Sequence, residues 1–122
     1  MDKLEEILNM QKNLAEFINS PKYPKKQQER ISVLSVAIIH EAVELQRLTN
    51  WKWWKKDSDF NEKLAKEELI DILHFVIQIA LELDMNANDL INEYKKKNEI
   101  NKNRQKNKVI FIILVSQILI NR

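Results

Sequence analysis

The chain has 122 residues, with 20 Lys+Arg against 18 Asp+Glu, a formal charge of +2, two His, no Cys and no Gly. Average usage would supply roughly eight or nine glycines at this length, so phosphate loops and nucleophile elbows that depend on glycine are excluded. Thiol chemistry and disulfides are excluded as well, and two His cannot build a three-histidine zinc site. Any chemistry falls to carboxylates, amides and lysines. The length suits one domain of ~100–150 residues, and the balanced charge leaves no electrostatic footprint for nucleic acid. Both prolines, Pro21 and Pro24, lie in one short segment. Long amphipathic stretches between so few breaks predict an all-α fold of four to five helices. Met1–Lys12 mixes charge with its apolar residues, so no signal peptide is expected and the cytoplasm is the default compartment.

The first helix is expected from Asp2 to Asn19, with Leu4, Ile7, Leu8, Gln11, Leu14, Ala15 and Ile18 on one stripe at helical spacing. Asp2, Glu5 and Glu6 sit where the helix dipole favours acids. Gln11 is the odd member of the stripe, either at a partly solvated edge or as an amide kept for a polar ligand. Ser20 to Pro24 breaks the helix. A second helix is expected from about Lys26 to Leu48, apolar on nearly every side between Ile31 and Leu45. Such a helix needs burial all round, and a small helical monomer has little room for it, so a subunit interface is expected. Residues 49–60 form the long connection and hold all three tryptophans, Trp51, Trp53 and Trp54. A third helix follows from about Phe60 to Leu83. Turn and capping residues occupy 84–89, and a fourth helix runs from about Asp89 through Asn103 or beyond.

The end of the chain differs in kind. Val109 to Ile120 is almost wholly apolar and follows a basic stretch. Its length falls short of the ~20 residues that cross a bilayer, so no membrane partner is expected. A closing helix or strand, a dimer contact and an aggregation-prone end all suit its composition. We place the domain at 1–107 and treat 108–122 as an apolar tail, the change after Asn107 being abrupt enough for a replaced terminus.

Two carboxylate pairs stand out, Glu41-x-x-Glu44 in the second helix and Glu68-x-x-Asp71 in the third. Residues three apart share a helix face, and each pair interrupts or continues an apolar row. Taken singly, such a pair is most simply a solvated face. Two pairs in otherwise apolar helices are expected to converge, and converging acids repel and resist desolvation unless divalent cations neutralise them. Oxygen ligands without Cys suit Mg²⁺, or Mn²⁺ in its place. His40 is expected to pack, and His74 to support or stack on a substrate. On the fourth helix Tyr94, Lys97, Asn98, Asn101, Arg104 and Gln105 make one polar face, a solvated surface by itself but a phosphate-binding face opposite a metal cluster.

Glu41-x-x-Glu44, then Trp51-Lys52-Trp53-Trp54-Lys55, then Glu68-x-x-Asp71-x-x-His74-Phe75, then Lys97-Asn98-x-x-Asn101-x-x-Arg104-Gln105 resembles, in that order, the dimeric dUTPase family of all-α nucleoside triphosphate pyrophosphohydrolases. The likeness spans roughly residues 5 to 107. It implies a helical bundle completed by homodimerisation, and hydrolysis of dUTP to dUMP and diphosphate. Glu41, Glu44, Glu68 and Asp71 would hold Mg²⁺, with Glu41 or Glu44 activating water. Lys55, Lys97, Asn101 and Arg104 would bind phosphates. Gln11, Trp54, His74, Phe75 and Asn98 would frame base and sugar. Where the family usually has Asn four residues after the first-helix glutamine, this chain has Ala15, so a related dNTP such as dCTP is the alternative substrate. A non-catalytic helical interaction module, with solvated acids and a docking patch of tryptophans, is the alternative from another class.

Overall fold

The structure is a computed structural model that describes residues 2–121. It is all-α: α1 (Lys3–Ile18), α2 (Gln27–Gln46), α3 (Glu62–Glu82) and α4 (Ala87–Ile120), with no strand among the described residues. Each expected helix is present; α1 to α3 end within a few residues of the bounds read from spacing, whereas α4 runs on to Ile120, well past Asn103.

Local chemistry sets the boundaries. Asp2 caps α1 by accepting from the Glu5 backbone N–H at 2.9 Å, and Asn61 caps α3 by accepting from Leu64 N–H at 3.0 Å, each satisfying a donor that the first turn leaves free. A chain without glycine must end its helices differently. Left-handed backbone falls on Asn19 (φ 38°) after α1 and on Asp84 (φ 56°) after α3, the residue types that tolerate it at least cost. Between α1 and α2, the Ser20 hydroxyl accepts from Lys22 N–H at 3.2 Å, and the two prolines prevent helix from continuing.

The chain divides into two compact units between Ala87 and Asn88. In the first unit α3 packs against both α2 and α1. Its core is small: Leu8, Leu34, Ile77 and Ala80 are the buried apolar residues among those described. α2 buries Leu34 and half-buries Ile31, Ile38 and Leu45 against α3, while Val36, Ile39 and Val43 on its far side are exposed, Ile39 at 62 %. The expectation that α2 is buried all round therefore fails within one chain, because its neighbours cover only one side. α3 repeats the pattern, with Leu69, Leu73 and Val76 exposed on the side away from its half-buried row of Leu64, Glu68, Ile72 and Phe75.

The second unit consists of α4 from Asn88 onward. Every described residue from Ile91 to its end is exposed. Helix continues without interruption through the basic stretch and the apolar residues to Ile120, which settles the open choice between helix and strand for that segment. No helix among the described residues is long and apolar enough to cross a membrane.

Candidate metal and nucleotide site

Packing of α3 on α2 brings Glu41, Glu44 and Glu68 together, with one carboxylate oxygen of each within 4.8 Å of the others. Glu41 and Glu68 are half-buried and Glu44 is exposed. One oxygen of Glu41 and one of Glu68, both Oε2, are buried with no hydrogen-bond partner. Among the described residues no Lys or Arg forms an ion pair with any of the three. The acids therefore face one another uncompensated. Burial first, then the adjacent carboxyls of Glu44, Asp71 and Glu41, pushes Glu68 up to about 7. Glu41 is raised too, by burial and then chiefly by Glu44. A carboxylate whose pKa rises this way is asking for positive charge.

Asp71, expected as a fourth member, stands outside the group. It is exposed, one turn further along α3 and one methylene shorter than glutamate, although it lies near enough to raise both Glu41 and Glu68. The donor set otherwise suits a hard divalent cation, since it offers only oxygens and leaves two buried ones unsatisfied.

Between α1 and α3 lies a cavity of about 800 Å³ lined by Gln11, Ala15, His74, Phe75, Gln78 and Glu82, among others. Three residues expected at the base, Gln11, His74 and Phe75, thus come together at its wall. Gln11 is tied by both ends of its amide: Nε2 donates to Gln78 Oε1 at 3.1 Å, and Oε1 meets His74 Nδ1 at 2.7 Å. Gln78 Nε2 donates to Glu82 Oε1 at 3.2 Å. Glu82 also accepts from Tyr23 Oη at 2.8 Å and from Arg30 Nε at 2.6 Å. Burial alone would raise Glu82, but hydrogen bonds from Arg30, Tyr23 and Gln78 outweigh it and hold the carboxyl below its usual range. Tyr23 is pushed up to about 12, by burial and then by the charge of Glu82.

A family model described as dUTPase matches residues 3–89, most of the chain and all the helices that build the carboxylate group and the cavity. The chain belongs to the all-α dUTPase family. No curated protein and no solved structure gives a significant match. The membership makes the chain an enzyme of dUTP diphosphatase type, a nucleotide pyrophosphatase.

The dUTPase match includes the tryptophan connection. Asn50 pinches the base of this loop through two 3.0 Å hydrogen bonds with Ser58. Trp54 packs edge-on to both Trp51 and Trp53 at centroid distances of 5.9 and 5.7 Å. Trp54 and Lys55 are exposed there and are not among the residues lining the cavity. Lys97, Asn98, Asn101 and Arg104 lie on exposed α4, in the second unit and beyond the matched residues. His40 is exposed, contrary to the expectation that it packs, because it falls on the side of α2 that its neighbours leave uncovered. Sequence reading missed Gln78, Glu82, Arg30 and Tyr23. A signal was present: His74, Gln78 and Glu82 recur every fourth residue within an apolar helix, which puts three polar groups on one face.

Proposed function

We propose that this dUTPase-family enzyme hydrolyses dUTP to dUMP and diphosphate in a Mg²⁺-dependent reaction, as a cytoplasmic homodimer. The observation that carries the reading is the trio Glu41, Glu44 and Glu68, whose two unpartnered buried oxygens call for a cation in a chain of this family. Glu41, Glu44 and Glu68 would hold Mg²⁺ (or Mn²⁺), with Asp71 reaching in from the next turn. When bound, the ion neutralises triphosphate charge and lowers the pKa of the attacking water. Glu44 or Glu41 orients that water and takes its proton. Lys55 binds the phosphates as a point charge, and the exposed face of α4 with Lys97, Asn98, Asn101 and Arg104 offers the cationic and amide donors that a triphosphate also takes. Gln11, His74 and Phe75 receive the base in the cavity, with Trp54 a further nucleoside contact.

Ala15 lines the cavity and offers no amide, which favours keeping dCTP as the second candidate substrate. Homodimerisation is supported by the exposed apolar row Val36, Ile39 and Val43 on α2, a surface that a folded monomer rarely leaves in water. Ile39→Glu is expected to shift the sedimentation coefficient to that of a monomer. The decisive test is diphosphate release from a panel of dNTPs with and without Mg²⁺, beside Glu44→Gln. Release from dUTP that requires Mg²⁺ and disappears in the variant is the expected result. Equal rates with dUTP, dCTP and dTTP would overturn the dUTP assignment, and no hydrolysis together with no thermal shift on adding Mg²⁺ would favour the interaction module.

A further inference from the structure

The hydrogen bonds beside the cavity form a chain with only one direction open to it. Glu82, ionised and gripped by Arg30 and Tyr23, can only accept. Gln78 must therefore turn its NH₂ toward Glu82 (3.2 Å) and its carbonyl oxygen toward Gln11. Gln11 in turn gives its own NH₂ to that oxygen (3.1 Å), which leaves its Oε1 facing His74 Nδ1 at 2.7 Å. Two acceptors cannot share that contact, so His74 Nδ1 carries a hydrogen. Gln78 is the one buried polar side chain among the described residues, so neither of its ends can exchange its partner for bulk water without cost.

We propose that Gln78 and Glu82 are positioning residues for substrate selection: they fix which end of the Gln11 amide is donor and which is acceptor, and so which pyrimidine edge the cavity takes. The inference rests on the reading of the cavity as the base site. After the chain is satisfied, Gln11 keeps one N–H and one carbonyl lone pair for a ligand. A pyrimidine with a carbonyl beside a ring N–H, as in uracil, and one with an amino group beside a bare ring nitrogen, as in cytosine, present donor and acceptor in opposite order. An amide free to flip would serve both. One held in a single direction from behind serves one and leaves unpaired groups against the other, the situation in which polar sites discriminate best. With Ala15 in place of a second amide, this constraint on Gln11 supplies the selectivity.

Gln78→Met keeps length and apolar bulk while removing both of its hydrogen bonds. The first measurement is the ¹⁵N spectrum of labelled histidine, with His74 identified by comparison with His40→Gln. Wild type is expected to carry hydrogen at His74 Nδ1, and Gln78→Met to populate the Nε2–H tautomer. Hydrogen at Nε2 alone in wild type would overturn the proposal. The second is the ratio of kcat/KM for dUTP over dCTP, taken within one preparation so that any loss of folded protein divides out. It is expected to fall at least about tenfold in Gln78→Met, equivalent to roughly 1.4 kcal/mol of lost discrimination. A purely structural role would lower both values and leave the ratio unchanged, which would also overturn it. Should wild type hydrolyse neither nucleotide, the function reading fails by itself. The same ratio is then read from dissociation constants of dUMP and dCMP followed at the Gln11 side-chain amide, and equal values in wild type would overturn the proposal separately.

Discussion

Helix α3 carries two glutamates in opposite circumstances. Glu82 accepts from Arg30, Tyr23 and Gln78 and is held below its usual pKa. Glu68, further toward the start of the same helix, meets Glu41 and Glu44, has a buried oxygen without a partner, and is pushed up to about 7. Residue type and helix are the same, and only the surroundings differ. Glu82 is complete within its own chain and locks α3 to the segments around Tyr23 and Arg30. The group around Glu68 is incomplete within its own chain, and unmet need for positive charge is the mark of a site that takes something from outside. The difference separates scaffold from chemistry more clearly than exposure does, since Glu68 and Glu82 are both half-buried.

Breaking the incomplete group has the largest expected consequence. Glu44→Gln is predicted to lower Mg²⁺-dependent dUTP hydrolysis by ~10²–10⁴-fold in steady-state assays, while the metal-free protein unfolds at the same or slightly higher urea concentration, because a repelling charge is gone. Breaking the complete group does the reverse. Glu82→Gln gives up the charged partner of Arg30 and is predicted to cost about 2 kcal/mol in urea unfolding.

Acidity sharpens the same contrast with opposite signs. Glu68 has a folded pKa above its unfolded value, so it stabilises the metal-free fold below about 4.5 and that contribution is lost as pH rises through about 7. Glu82 has a folded pKa below its unfolded value, so its contribution is present above about 4.5 and is lost as pH falls through the folded value. Thermal melts of metal-free wild type and Glu68→Gln from pH 4 to 8 are therefore predicted to diverge, with the variant showing a shallower decline between about 4.5 and 7, because Glu41 is still raised, and wild type recovering when Mg²⁺ is added. The smallest effect is expected at the far end of the chain. Removing residues 109–122 takes away none of the carboxylates and none of the cavity wall, so the Mg²⁺-dependent thermal shift of the remainder is predicted to be unchanged within error.

The helices were legible because the chain offers so few alternatives to them. With no glycine and both prolines in one short segment, periodicity alone locates α1 to α3, and Asn and Asp take the left-handed positions. The convergence of Glu41, Glu44 and Glu68 was legible because three-residue spacing fixes a shared face. The distance from Asp71 to that group was not, since spacing gives direction around a helix but not the reach of a shorter side chain one turn away. Gln78 and Glu82 were hidden for another reason. Their meaning comes from Gln11, Tyr23 and Arg30, partners more than fifty residues away in sequence, and no local pattern reveals a long-range partner. The exposed sides of α2 and α3 show the limit of composition, which told that the helix is apolar all round but not that three helices would cover only half of it.

Binding of Mn²⁺, used in place of Mg²⁺ for its electron paramagnetic resonance signal, tests most directly whether the three unpaired acids hold a cation. Wild type is predicted to deplete the free-ion signal at a saturable site that Mg²⁺ competes for, and Glu68→Gln to leave the signal undiminished. Equal depletion by wild type and Glu68→Gln, or none by either, would contradict the assignment of Glu41, Glu44 and Glu68 as the metal centre.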